Sequence, residues 1–264
     1  MMKLSILGAG NMGGAIARGL AQSKIVSADN LTVSDCNQET LDRLTSDVPS
    51  IHTTRSNREA CEGASIVIFC VKPWLVQPVV EEVYPVIKAC DPLIICIAAG
   101  VTFEQLTSFM DGDRRPMTRA IPNTAISIRQ SPTLLCFNEQ MDEAQKSLVK
   151  AIFDELGTAI ILDEAHMAAG TAITSCGIAY VFQFIKASMQ GAIELGFYPH
   201  VAKQMIDQTV LGAVNLLEKN GTMPDTEIYK VCTPGGITIK GLNEMTKEGF
   251  DNAVIQGLKK AAGK

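Results

Sequence analysis

The chain has few groups with which to build a polar catalytic cluster of its own. Its 264 residues include only three histidines, His52, His166 and His200, each isolated and read as surface or capping residues. No Ser/His/Asp arrangement and no paired-carboxylate motif is visible. None of the eight cysteines, at 36, 61, 70, 90, 96, 136, 176 and 232, falls in a C-x-x-C pair or near a histidine at zinc-ligand spacing. That excludes a metal site and a disulfide framework. Several cysteines lie in apolar strand-like runs, where Cys acts as a small hydrophobe, and a reducing cytoplasm fits them best. Basic runs are absent and the net charge is −5, so nothing here suggests a nucleic-acid partner. The N-terminus reads as a strand followed at once by a turn, and so not as a signal peptide. Chemistry on this chain is therefore expected to come from a cofactor. A hydrophobic content of 47% supports a sizeable core.

The stretch from Lys3 to Ala17 supplies what the composition lacks. A short apolar strand turns through Gly8-Ala9-Gly10-Asn11-Met12-Gly13 into a helix with Ala15, Ile16 and Leu20 on one side. This is G-x-G-x-x-G with a strand before it and a helix after it. Gly8 permits the tight turn, Gly10 lets a pyrophosphate approach the backbone, and Gly13 lets helix and strand pack closely. Asn11 and Met12 open the helix whose free N–H groups then face the phosphates. A second strand, Leu31–Ser34, ends at Asp35, 35 − 13 = 22 residues beyond the last motif glycine. That matches the spacing of the acidic residue that binds the adenosine ribose, and no Arg follows to take a 2′-phosphate. An Asp that merely ends a strand is the alternative.

Strand and helix alternate as far as Leu162. Expected helices cover Thr40–Leu44, a short one opened by a Ser56/Glu59 capping box, Pro78–Ala89, Phe103–Met110 and Met141–Leu156. Expected strands are Ile51–Thr54, Ser65–Val71, Leu93–Ile97, Thr133–Phe137 and Ala159–Leu162. Arg114–Ala120 is read as a lead-in to Ile121-Pro122-Asn123-Thr124. The pattern predicts a doubly wound parallel sheet. From His166 the pattern is helical only, which places a domain boundary between residues 1–162 and 163–264. Met167–Ile185 carries no charge and is long enough for a membrane span. After a nucleotide-type domain, a helix buried on all sides in an oligomer is the preferred reading. Helices are also expected from Pro199 to Lys219 and from Phe250 to Ala262, with a short segment at Asp225–Cys232 before Thr233-Pro234-Gly235-Gly236-Ile237-Thr238.

Four stretches together resemble the pyrroline-5-carboxylate reductase family: Gly8–Gly13, Val71-Lys72-Pro73, Arg119–Thr124 and Thr233–Thr238. The last is the most specific, being close to a S/T-P-G-G-x-T signature. The resemblance covers essentially the whole chain. It implies a Rossmann-type domain followed by an all-helical dimerisation domain, with NAD(P)H as cofactor and a small imine as substrate. The implied product is L-proline. It also implies a homodimer or higher homo-oligomer built through the C-terminal helices, and no membrane. Implied cofactor contacts, beyond the glycine turn and Asp35, are Ser34, Asn57, Val71, Lys72, Pro73 and Ala98. For Asn57 a helix-capping role, and for Lys72 a plain surface position, stand as alternatives. The implied substrate loop is Thr233, Gly235, Gly236, Ile237 and Thr238. Its adjacent glycines would expose N–H groups to a carboxylate, and the Thr238 hydroxyl would act beside the ring nitrogen. A flexible Pro-Gly turn before a helix is the alternative.

The chain departs from the family pattern at three places. S-G-S-G-P-A-Y is replaced by Thr174-Ser175-Cys176-Gly177-Ile178-Ala179-Tyr180, P-N-T-P by Pro122-Asn123-Thr124-Ala125, and an Asn before the signature loop by Lys230. A relative acting on another imine, or a non-catalytic cofactor-binding regulator, is the rival reading. A β-hydroxy-acid enzyme is disfavoured, because the long helix has no charge before Lys186.

Overall fold

The computed structural model describes residues 2–263. They form two compact units, residues 1–175 and residues 176–264. The first is an eight-stranded sheet in the order β3-β2-β1-β4-β5-β6-β7-β8. Strands β1 (Leu4–Leu7), β2 (Leu31–Ser34), β4 (Ile66–Phe69) and β5 (Leu93–Cys96) are buried at every position. Continuous apolar strands of this kind need cover on both faces. One face packs Ile6, Ile16, Leu20, Val33, Ile68 and Phe153 into a core; the other packs Leu7, Phe69, Val80, Ile87 and Leu106. β3 (His52–Thr54) forms one edge.

The predicted parallel sheet holds from β3 to β6 (Met117–Ile121), and β6 is a strand where the sequence predicts only a lead-in. The correction comes next: β7 (Ser131–Phe137) runs antiparallel to β6, and β8 (Gly157–Ile161) runs parallel to β7. Only residues 122–130 separate β6 from β7. A parallel return needs a crossover of a dozen residues or more. Instead a 3₁₀ turn at Thr124–Ile128, ended by Arg129 in the left-handed region (φ 58°), folds the chain straight back.

Helices α1 (Asn11–Leu20), α2 (Gln38–Asp47), α3 (Asn57–Cys61), α4 (Pro73–Cys90), α5 (Phe103–Phe109) and α6 (Glu143–Asp154) cover the sheet. Ser56 caps α3 by accepting the Glu59 N–H, but the expected capping box does not close, because the Glu59 carboxylate takes the Thr54 hydroxyl. α4 begins five residues earlier than predicted. Pro73 stands at its first position, and Pro78 and Pro85 lie inside it on the exposed face. Thr102 and Asp142 close full capping boxes on α5 and α6.

Residues 163–175 belong to the first unit by contact. Met167 packs on Ile121, Leu134 and Cys136. Short helix α7 (Met167–Thr171) widens into a π-helical turn at Ala172–Cys176. The buried thiols are inert: burial pushes Cys61 up to about 12, and Cys96 and Cys136 up to about 11.

Arg115 is buried, and its guanidinium donates to Asp113 Oδ2 (2.5 Å) and to the Ile87 carbonyl (3.1 Å). The Arg115 hydrogen bond holds the Asp113 carboxyl below the usual range, against the opposing effect of burial and with help from the Tyr84 hydroxyl. A depressed folded-state pKa stabilises the fold above the ordinary carboxylate range and stops doing so as pH falls through the folded value. Asp113→Ala should therefore cost about 2 kcal/mol at neutral pH, the typical value of a hydrogen bond to a charged group. That corresponds to a melting temperature lower by about 4–8 °C. The deficit should shrink in thermal melts as the pH is taken into the acid range.

The second unit consists of α8 (Gly177–Glu194), α9 (Pro199–Asn220), α10 (Pro224–Val231), α11 (Ile237–Lys247) and α12 (Phe250–Ala261). α11 is a further correction: the sequence predicts a loop at Ile237 and Thr238, and both lie in the first turn of this helix. α8 packs on α9, and Phe184 meets Phe250 edge to face at 6.3 Å. Among the described residues of this unit only Ala202 is buried. Phe182, Leu195, Leu211, Val231 and Ile255 are all exposed. Five helices with apolar faces and no interior of their own require a partner surface.

Candidate functional site

The strand order runs outward from β1 in both directions, so the crevice at the carboxyl ends of β1 and β4 is the topological switch point. The glycine turn sits there. Gly8 has φ +103°, and a Cβ on it would meet the Cys70 carbonyl oxygen at 2.7 Å. A Cβ on Gly13 would stand 1.8 Å from the Gly8 carbonyl oxygen. Gly10, which caps α1, has nothing within 4 Å of its Cβ position. Gly8 and Gly13 are thus held by close packing, and Gly10 alone of the three is open. Asn11 and Met12 occupy the first turn of α1, where N–H groups have no intrahelical partner.

Asp35 stands at the end of β2. Its Oδ2 accepts the Ala9 N–H at 2.7 Å and its Oδ1 accepts the Asn37 N–H at 2.9 Å. The first bond ties the carboxylate to the glycine turn, and the second ties it to the loop that opens α2. Ser34 is fully buried; its carbonyl takes the Gly8 N–H and its hydroxyl donates to Asn57 Oδ1 at 2.7 Å. Asn57 Nδ2 in turn donates to Glu82 Oε2 at 2.9 Å. The carboxylate can only accept, which fixes the orientation of the Asn57 amide. Ser34 thus supports Asn57 from behind. Lys72 caps α4 with Pro73 after it; both are exposed, and Val71 is half-buried. Ala98 follows β5 on the same edge. The strand ends therefore gather every predicted cofactor residue of the first unit. The apolar and polar linings fit a dinucleotide: open backbone at Gly10, a helix N-terminus, and a carboxylate at ribose spacing.

A separate cavity of about 520 Å³, lined by Phe103, Met117, Cys136 and Glu164 among others, contains none of these residues.

In the second unit, Thr233-Pro234-Gly235-Gly236 is a β-turn, closed by the Gly236 N–H on the Thr233 carbonyl at 2.9 Å, with Gly235 at φ +73°. Pro at the second position and Gly at the third, left-handed one are the type II signature. The expectation that both glycine N–H groups face a ligand needs adjusting, because that of Gly236 closes the turn. Gly236 instead caps α11, and the free donors move to Ile237 and Thr238 in the first helical turn. A Cβ on Gly236 would press on the Thr233 side chain, which would have to turn away to admit it. Lys230 pairs with Glu227 at 2.7 Å; that bond, with the Thr222 hydroxyl, holds the Glu227 carboxyl down to about 2.

Sequence reasoning missed Glu82. It lies 25 residues from Asn57, and only the packing of α3 on α4 brings them together. No local pattern signals it. Among the described residues no cluster of His, Cys, Asp or Glu could hold a metal.

Fold and glycine turn define a dinucleotide-binding oxidoreductase of Rossmann type with a helical second half. Residues 3–100 match the family described as NADP oxidoreductase coenzyme F420-dependent, and residues 164–264 match pyrroline-5-carboxylate reductase dimerisation. A pyrroline-5-carboxylate reductase 2 of Dictyostelium discoideum is 32% identical over 99% of this chain and 91% of its own. Pyrroline-5-carboxylate reductase 1 of the same organism is 36% identical over 97% of this chain, which spans about half (48%) of that protein's length. The crystal structure of Plasmodium falciparum pyrroline carboxylate reductase with NADP bound superposes with a TM-score of 0.89 at 26% identity, covering 99% of this chain and 96% of that one. The chain belongs to the pyrroline-5-carboxylate reductase family. Glu164–Glu194 is long and apolar enough to cross a membrane by length and composition. The dimerisation match gives that apolar surface a partner of its own kind.

Proposed function

We propose that the protein reduces 1-pyrroline-5-carboxylate to L-proline with NAD(P)H, as a homodimer or higher oligomer through its C-terminal helices, in the cytoplasm, with no membrane or nucleic-acid partner. The observation that carries this is the Thr233–Gly236 turn opening α11, in a chain that also bears an intact dinucleotide turn. Domain roles follow residues 1–162 for cofactor and 163–264 for assembly and substrate. NAD(P)H, when bound, supplies the hydride for the imine carbon, and the ring nitrogen gains a proton.

The protein's own residues bind and orient. Gly8, Gly10, Asn11, Met12 and Gly13 take the pyrophosphate on the α1 N-terminus. Asp35 and Asn57, the latter held by Ser34 and Glu82, take the adenosine ribose. Val71, Lys72, Pro73 and Ala98 line the remaining crevice. In the second unit Gly235, Ile237 and Thr238 offer N–H groups to the substrate carboxylate at a helix N-terminus, where a negative charge is favoured. Thr233 and Gly236 shape the turn. The Thr238 hydroxyl donates toward the ring nitrogen; as a weak acid it orients the imine, with water relaying the proton.

Thr238→Ala should lower kcat by roughly 10²-fold, within the range for a positioned donor. NADH affinity, measured by direct titration, should stay unchanged. Wild-type turnover in the variant removes the role assigned to Thr238.

A further inference from the structure

Two places where the chain departs from its family's pattern meet at the carboxyl end of β6. Asn123, just beyond β6, is buried, and each of its polar functions is spent. Its backbone N–H donates to Ser131 Oγ at 2.9 Å. Its Oδ1 accepts the Ala125 N–H at 2.9 Å, and its Nδ2 donates to the Thr174 carbonyl at 3.1 Å. Beside it, Ser175 Oγ donates to the Pro122 carbonyl at 3.1 Å. The two inter-element bonds, one donated from each segment, join the adjacent residues 122 and 123 to the adjacent residues 174 and 175. Thr174 and Ser175 sit within the π-helical turn Ala172–Cys176, whose longer hydrogen-bond register leaves carbonyls open to outside donors.

Both departures supply donors. A proline at 125 has no N–H to give Asn123, and a glycine at 175 has no hydroxyl to give Pro122. Ala125 and Ser175 therefore act as one set.

We infer that Ser175 is a positioning residue: with Asn123 it latches the π-helical turn to the Pro122–Asn123 loop, on the same sheet edge as the glycine turn. This rests on the reading that this edge receives the nicotinamide end of the cofactor and the imine. The latch fixes the wall of the imine site, and it adds nothing to the adenosine end, which lies across the sheet at β1 and β2.

The test uses the full-length oligomeric protein with Ser175→Ala and Ser175→Thr. Ser175→Ala should raise KM for pyrroline-5-carboxylate about fivefold, the equivalent of one neutral hydrogen bond, with kcat and NADH affinity within about twofold of wild type and the melting temperature lower by about 2–4 °C. Backbone amides of residues 172–178 should exchange about fivefold faster, since the same bond restrains their opening. Ser175→Thr, which keeps the hydroxyl, should restore both readouts. An unchanged KM with unchanged exchange overturns the latch. A parallel loss of imine affinity, NADH affinity and melting temperature also overturns it, because that pattern marks general destabilisation. If the wild-type protein does not turn over pyrroline-5-carboxylate, the activity reading fails separately, and the exchange comparison alone decides the latch.

Discussion

Asp35→Ser is expected to raise the NADPH-to-NADH ratio of kcat/KM by about fivefold or more. The Asp35 carboxylate is held at the end of β2 by the Ala9 and Asn37 N–H groups, so it cannot swing aside without giving up both bonds. A 2′-phosphate placed about 4 Å from it would be disfavoured by roughly 1–4 kcal/mol at surface-like dielectric values. Each 1.4 kcal/mol is a factor of about ten. Serine removes the charge and keeps an acceptor for the Ala9 N–H. Asp35→Asn separates the two contributions, since it removes the charge with little change of shape. Both variants should shift the ratio in the same direction. Absolute NADH affinity should fall in both, because the ribose hydroxyls lose a charged acceptor. Steady-state rates with the two cofactors measure this directly, and an unchanged ratio would mean that Asp35 does not face the ribose.

Gly13→Ala should abolish cofactor binding, weakening NADH affinity by more than about 10²-fold, or roughly 2.7 kcal/mol. The added methyl would lie 1.8 Å from the Gly8 carbonyl oxygen and 2.9 Å from Cys70 Cβ. The first is backbone, so the turn itself has to open. Overpacking of this kind costs about 1–3 kcal/mol of stability as well. Gly10→Ala is the contrast. Its Cβ has no neighbour within 4 Å and its φ is −60°, so the fold should be unaffected. Binding should still weaken, because the methyl occupies the side from which a pyrophosphate approaches. Melting curves and NADH titrations of the two variants distinguish a turn that packs from a turn that binds. Equal, wild-type binding in both would deny the turn its cofactor role.

The cofactor half was legible in the sequence because its signals are local. Gly8, Gly10, Gly13 and Asp35 carry meaning by spacing alone, and the structure gathers them at the carboxyl ends of β1 and β2. What sequence could not show depends on contacts far apart in the chain. Glu82 orients Asn57 across 25 residues, and Asn123 finds Thr174 across 51. The β6–β7 reversal was hidden because Thr124–Ile128 carries no Gly-type turn signal; Arg129 takes the left-handed conformation instead. Pro78 misled the start of α4, as a proline read as a helix opening when it sits within one. The signature loop was legible as chemistry but not as structure. Thr233–Gly236 closes on itself, and this moves the free donors from Gly236 to Ile237 and Thr238. The apolar second half was legible as an oligomerising surface because Met167–Ile185 has no charge, and the exposure of Phe182 and Leu211 agrees.

The most direct test is the oxidation of NADH and NADPH by the purified, oligomeric protein with pyrroline-5-carboxylate, followed spectrophotometrically and with L-proline identified as product. Rapid turnover, faster with NADH than with NADPH, is the predicted result. A folded oligomer that binds NADH but turns over neither cofactor with this imine would contradict it. The Thr174–Tyr180 departures would then mark the site of a different imine specificity.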